Sequence, residues 1–189
     1  PRHRVWKKPM AWKQGKMLGQ GAFGSVYMAM KGDGEIIAVK RIEIPAGGTE
    51  IIDSFQTESQ LLERLEHPNI VRYISSKVVS KSLAVIWIEY VPGGSVANIL
   101  QVFGAISEDL VRRYLQQILQ GLVYLHANSV IHRDLKPGNI LVAVDGVVKL
   151  SDFGASMSVS ASITSQQQFG FAGTPNYIAP EMLRSRGPG

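Results

Sequence analysis

The sequence predicts an α+β protein of two lobes, a β-rich first half carrying one helix and a mainly helical second half. Three observations point there. Short β-rich runs bounded by Gly, Pro and Asn turns fill the stretch before residue 90. Two stretches with helical apolar spacing stand out, 51–65 and 108–126. Pro92-Gly93-Gly94-Ser95 breaks the pattern between them and suits a hinge. The chain then divides into a basic arm over 1–11, a first lobe over 12–90 and a second lobe over 91–189.

The strands come first. Runs at 16–18 and 25–30 flank a glycine-rich segment, Lys31-Gly32-Asp33-Gly34 forms a turn, and 36–42 is a third strand. In the helix at 51–65, Ile51, Phe55, Leu62 and Leu65 fall at helical spacing. His67-Pro68-Asn69 stops it, because proline disfavours helix at the residue before it. Strand-like runs follow near 70–75 and 83–88. The long helix opens with Ser107 as cap and with Glu108 and Asp109 at the positive end of its dipole. Its buried stripe is Val111, Tyr114, Leu115, Ile118, Leu122 and Leu125. Runs at 140–144 and 147–150 around Asp145-Gly146 read as a hairpin with a two-residue turn. A Ser- and Gln-rich loop, expected to be mobile, occupies 151–168.

Composition narrows the class. A chain of 189 residues buries roughly 70% of its unfolded surface. With 45% apolar and 19% charged residues it is not a disordered polymer. The longest apolar run, 83–88, falls far short of the ~20 residues of a membrane span. Cysteine is absent, which excludes disulfides and thiolate metal sites. The chain opens at Pro1 without a charged-then-apolar leader, so no secretory signal is expected, and an excerpt of a longer protein is. The net charge of +5 is local, since residues 1–16 carry +6 and the remainder −1. A nucleic-acid or acidic-membrane arm is one reading of that cluster, a solvated leader the plainer one.

Several residues sit where only chemistry explains them. Gly19-Gln20-Gly21-Ala22-Phe23-Gly24 lies between two strands, where glycines let backbone N–H groups approach a phosphate. A dinucleotide fingerprint needs a helix next, but Ser25-Val26-Tyr27-Met28 continues as strand, so a hairpin lid fits better. Lys40 stands in the apolar run Ala38-Val39-Lys40, and Glu58 stands on the apolar stripe of the first helix. Buried charges need partners, and these two can neutralise each other, either as a plain salt bridge or around an anionic ligand. Ile131-His132-Arg133-Asp134-Leu135-Lys136-Pro137-Gly138-Asn139 gathers five polar types between helix and hairpin. Asp134 can accept a proton from an attacking hydroxyl, and Lys136 can offset charge on a transferred group. Asn139 and Asp152 flank the hairpin and offer hard oxygens suited to Mg²⁺. His132 reads as a packed, core-facing histidine.

Taken in order, Gly19-x-Gly21-x-x-Gly24-x-Val26, Ala38-Val39-Lys40, Glu58, the segment from His132 to Asn139, Asp152-Phe153-Gly154 and Ala179-Pro180-Glu181 resemble the eukaryotic protein-kinase signature. The resemblance covers about 12–183. It implies a protein-kinase-like bilobal α+β fold, with an antiparallel β-sheet N-lobe, one N-lobe helix and a mainly helical C-lobe. Lys136 and Gly173-Thr174-Pro175-Asn176-Tyr177 are similar to serine/threonine kinases. Glu89-Tyr90-Val91-Pro92-Gly93-Gly94-Ser95-Val96 with Asp152-Phe153-Gly154-Ala155-Ser156 resembles the MAP kinase kinase kinase branch.

The family's roles follow as implications. Gly19, Gly21 and Gly24 cover ATP, and Leu18, Val26, Ala38, Ser95 and Leu141 also line the nucleotide site. Lys40 holds the α/β-phosphates and is fixed by Glu58. Glu89 to Val91 present hinge groups to adenine, and Ile88 guards the rear pocket. Asp134 is the catalytic base, Asn139 and Asp152 hold Mg²⁺, and Thr174 touches Asp134 and Lys136. The implied partner is a protein substrate, a MAP kinase kinase, in the cytoplasm, with neither membrane span nor nucleic acid. A catalytically incompetent ATP- or partner-binding fragment is the alternative.

Two departures from the family stand out. Arg133 before Asp134 suits control by activation-loop phosphorylation, yet 166–172 contains no hydroxyl, so Thr164 and Ser165 are the nearest acceptors. Kinases of this family also continue past the Ala-Pro-Glu motif with further helices. An incomplete C-lobe is therefore expected, with exposed apolar faces and poor stability of residues 1–189 alone.

Overall fold

The computed structural model describes residues 11–21, 24–152, 157–158 and 174–178, with the backbone alone at 49, 50, 54, 57, 58, 157, 158 and 175. The chain forms two compact units, Pro1–Glu63 with Arg72–Tyr90, and Arg64–Val71 with Val91–Gly189.

The first unit is an antiparallel five-stranded sheet. Its strands are β1 (Trp12–Gly21), β2 (Gly24–Lys31), β3 (Ile36–Glu43), β4 (Tyr73–Ser80) and β5 (Leu83–Glu89), in the order β1-β2-β3-β5-β4. The β2–β3 turn is held by Lys31, which pairs with Asp33 at 3.1 Å and also with Glu35. Alternation along each strand makes two faces. One packs Ala29, Ile37, Val39, Val85 and Trp87 into a core, with Trp12, Ile74 and Leu83 against it. Trp12 meets Trp87 edge to face at 6.5 Å. Helix α1 (Thr49–Leu62) lies against β4 and β5, burying Phe55 and Leu62.

Two expectations change here. The fourth strand runs over Tyr73–Ser80, not 70–75. Ile70 and Val71 are buried in the other unit instead, Ile70 bridging Leu150 and the Val71 N–H donating to the Leu150 carbonyl at 2.9 Å. Helix α1 stops at Leu62, so Leu65 is buried from the connecting segment.

The second unit contains α2 (Val96–Phe103), α3 (Glu108–Ala127), β6 (Val130–Ile131), a 3₁₀ turn (Pro137–Asn139), β7 (Ile140–Val142), β8 (Val148–Leu150), β9 (Met157–Ser158) and a second 3₁₀ turn (Pro175–Tyr177). β6 pairs with β9 and β7 with β8. Asn69 ties three pieces together. Its Nδ2 donates to the Val148 carbonyl at 2.8 Å and to Gln117 at 3.2 Å, while its own carbonyl accepts the Leu150 N–H at 2.9 Å. Gly121 permits this approach, because a Cβ there would lie 3.0 Å from the Asn69 carbonyl oxygen.

That close approach turns the buried face of α3 onto Ile118, Gly121 and Leu125. Leu115, expected in the stripe, is 50% exposed, and Leu119 and Val123 are exposed as well. The hairpin loop also differs from the expected two-residue turn. The Ala143 N–H donates to the Val147 carbonyl at 2.8 Å, which encloses residues 144–146. Gly146 takes φ +82°, the left-handed position that closes a three-residue hairpin loop. Helix α2 has no counterpart among the sequence expectations. No helix of the described residues is long and apolar enough to cross a membrane.

Candidate active site

The chemistry of the second unit gathers between β6 and β7. Asp134 is 6% exposed, and both its carboxylate oxygens are engaged. Oδ1 accepts the Thr174 hydroxyl at 2.9 Å, and Oδ2 meets Lys136 Nζ at 2.8 Å and Asn139 Nδ2 at 2.9 Å. Lys136 Nζ also donates to Thr174 Oγ1 at 2.6 Å. Burial pushes the Asp134 carboxyl up, but hydrogen bonds from Lys136, Thr174 and Asn139 outweigh it and hold the group below its ordinary 3.8. The carboxylate is thus ionised and fixed in direction.

The backbone supports this arrangement. Asn139 Nδ2 donates to the Asp134 carbonyl at 2.8 Å as well as to its side chain, which leaves Oδ1 as the acceptor end of the amide. His132, 2% exposed, is packed as expected. Its Nε2–H donates to the Ser151 carbonyl at 3.0 Å, so Nδ1 accepts the Asp134 N–H at 3.4 Å. Burial pushes His132 below its ordinary 6.5, against the raising effects of the Ser151 carbonyl and of Asp152 and Asp134. Arg133 and Asp152 both take left-handed backbone, φ +67° and +60°. Such strain in non-glycine residues clusters at functional sites.

Of the sequence candidates, Asp134, Lys136, Asn139 and Thr174 come together directly. Asp152 follows Ser151, whose N–H donates to the Asn139 carbonyl at 2.9 Å. Ser95 has its hydroxyl engaged in capping α2, accepting the Asn98 N–H at 3.2 Å while Asn98 Oδ1 accepts the Ser95 N–H at 3.1 Å. Leu141 is half-buried and bridges Ser95, and Val91 is buried.

The remaining candidates lie in the first unit. Lys40 sits between Val26 and Ile86 on adjacent strands, and Ala38 between Met28 and Ile88. Directly opposed residues share a face, so Val26, Ala38, Lys40 and Ile88 line the sheet face opposite the Trp87 core. Lys40 is 7% exposed. Leu18 is 40% exposed. A Cβ at Gly19 or Gly21 would meet nothing within 4 Å, whereas one at Gly24 (φ +121°) would lie 2.0 Å from the Arg41 carbonyl oxygen. Glu89 Oε1 accepts the Arg72 N–H at 2.6 Å. The Glu58 side chain, the loop at 159–173 with Thr164 and Ser165, the Ala179-Pro180-Glu181 motif and most of the basic arm lie outside the described residues.

The family model described as a protein kinase domain matches residues 12–189. The chain belongs to the protein kinase family. This kinase domain is 45% identical over 184 residues to mitogen-activated protein kinase kinase kinase A of Dictyostelium discoideum, covering 94% of the chain and 19% of that protein. It is 42% identical over 188 residues to mitogen-activated protein kinase kinase kinase 2 of Arabidopsis thaliana, covering 96% and 29%. A third relative, the Arabidopsis kinase kinase kinase YODA, is 40% identical over 178 residues, covering 92% and 20%. The chain thus spans about a fifth to a third of the length of the curated relatives it matches. The general requirements of the family are ATP and Mg²⁺. The donor set fits the metal, because an amide oxygen and a carboxylate are hard ligands of the kind that hold Mg²⁺ together with phosphates.

Sequence reasoning did not single out Ser151, because a lone polar residue after the apolar β8 carries no signal that sets it apart from an ordinary strand end.

Proposed function

We propose that the chain is the catalytic domain of a serine/threonine protein kinase of the MAP kinase kinase kinase type. It transfers the ATP γ-phosphoryl group to a protein hydroxyl, with a MAP kinase kinase as substrate and the cytoplasm as its place of action. The observation that carries this is the ionised Asp134 carboxylate, bracketed by Lys136 and Thr174 at 2.8 and 2.9 Å.

Each residue then has a role. Asp134 orients the substrate hydroxyl and accepts its proton as the oxygen attacks. Lys136 supplies positive charge beside the transferred group, and Thr174 keeps Asp134 and Lys136 in register. Lys40, braced by Glu58, holds the α/β-phosphates. Asn139 and Asp152 hold the metal, which when bound neutralises charge on the phosphates. Gly19, Gly21 and Gly24 cover the nucleotide, and Leu18, Val26, Ala38, Ile88, Glu89, Val91, Ser95 and Leu141 line its site.

The test is phosphate transfer from labelled ATP to a purified MAP kinase kinase and to a generic protein substrate, with Asp134→Asn as control. The intact protein labels serine or threonine, and Asp134→Asn loses about 10²–10⁴-fold in rate while still binding nucleotide. Equal labelling by the two proteins would sink the proposal.

A further inference from the structure

Ser151 stands between β8 and Asp152 and is 8% exposed. Its N–H and its Oγ both donate to the Asn139 carbonyl, at 2.9 and 3.0 Å. Two donors from one residue thus occupy both lone pairs of that oxygen. The Ser151 carbonyl in turn accepts His132 Nε2–H at 3.0 Å. The side chain of Asn139 is meanwhile held by Asp134 at 2.8 and 2.9 Å.

The Ser151–Asp152 peptide is tied to His132 through the Ser151 carbonyl, but a single N–H bond would leave the Ser151 backbone free to pivot about its contact with the Asn139 carbonyl. The hydroxyl adds a second point of attachment to the same carbonyl and removes the pivot. The restraint matters because Asp152 takes φ +60°, a conformation that a non-glycine residue keeps only when its surroundings hold it there.

We infer that Ser151 is a positioning residue for a divalent cation, its hydroxyl keeping the Asp152 carboxylate in register with the Asn139 amide so that both meet one ion. The inference rests on the reading of Asn139 and Asp152 as metal ligands.

The experiment measures ADP binding to the intact protein by calorimetry, once in excess Mg²⁺ and once in EDTA. The ratio of the two affinities isolates the metal's contribution. Ser151→Ala and Ser151→Cys, the second nearly isosteric, lower that ratio about three- to tenfold, the worth of one hydrogen bond, while Ser151→Thr keeps it within about twofold. Their affinities in EDTA stay at the wild-type value.

A wild-type ratio of one overturns the metal reading and the inference with it. A wild-type ratio above one that Ser151→Ala and Ser151→Cys leave unchanged overturns the inference alone. So does an equal fall in both affinities, as a merely structural hydroxyl would produce, or a Ser151→Thr ratio as low as that of Ser151→Ala.

Discussion

At the scale of single residues, Asp134 is a buried acid kept ionised by three donors. Its folded pKa lies below the unfolded value of 3.8. The ionised form therefore stabilises the fold above the unfolded value, and that contribution is lost as pH falls through the folded one. Lys136→Met removes the first of the donors that lower the pKa, so the Asp134 pKa rises. The acid limb of the pH–rate profile moves to higher pH in this variant, and a limb at the wild-type position would contradict the assignment of Asp134 as base. Asp134, Lys136, Asn139 and Thr174 were legible in the sequence because their types and spacing match a family pattern. Ser151 was not, because one serine after an apolar strand looks like any strand end until its hydroxyl is seen on the Asn139 carbonyl. Ser95 was legible as polar and well placed, but its capping bond to Asn98 is a matter of local backbone geometry.

At the scale of elements, the glycine-rich hairpin holds one glycine that the fold requires and two that it does not. Gly24 is required by the protein itself, since a Cβ would lie 2.0 Å from the Arg41 carbonyl oxygen at φ +121°. Gly24→Ala therefore costs roughly 1–3 kcal/mol of stability, measurable by denaturant unfolding. Gly19 and Gly21 face open space. Gly19→Ala and Gly21→Ala leave the unfolding midpoint unchanged and weaken ATP binding, and a loss of stability equal to that of Gly24→Ala would refute the distinction. Helix α2 depends on its cap, so Ser95→Ala destabilises it by about 1 kcal/mol, readable as faster amide exchange over Val96–Phe103. Long periodic elements such as α3 were legible because their apolar spacing survives any packing. Short ones were not. Ile70 and Val71 look like strand residues whether they pair in a sheet or cross to Leu150. The hairpin loop length followed from Gly146 and not from the Asp-Gly pair alone. The exposure of Leu115 followed from Gly121, which set the rotation of α3 through a contact distant in sequence.

At the scale of the molecule, two histidines make stability depend on pH. His132 is depressed chiefly by burial, and His67 by burial and then by the charge of Lys149. Both have folded pKa values below the unfolded 6.5. Between those values the unfolded chain binds more protons, so stability falls as pH drops below about 6.5 and levels off below the folded values. His67 stacks on Tyr124 at 4.8 Å and accepts the Asn69 N–H through Nδ1 at 3.1 Å, so protonation there also removes a hydrogen bond. Thermal melts at pH 7.5 and pH 5.5 show the loss, and His67→Gln reduces its size. A pH-independent melting temperature would contradict this account.

The excursion of Arg64–Val71 into the second unit has a practical corollary for anyone who would cut the protein in two. The polypeptide passes from one unit to the other three times, after Glu63, Val71 and Tyr90. A scission after Tyr90 therefore yields pieces with mismatched inventories. The leading piece carries away Asn69, Ile70 and Val71, which α3 and the hairpin need as their third wall, and the trailing piece keeps an open slot shaped for them.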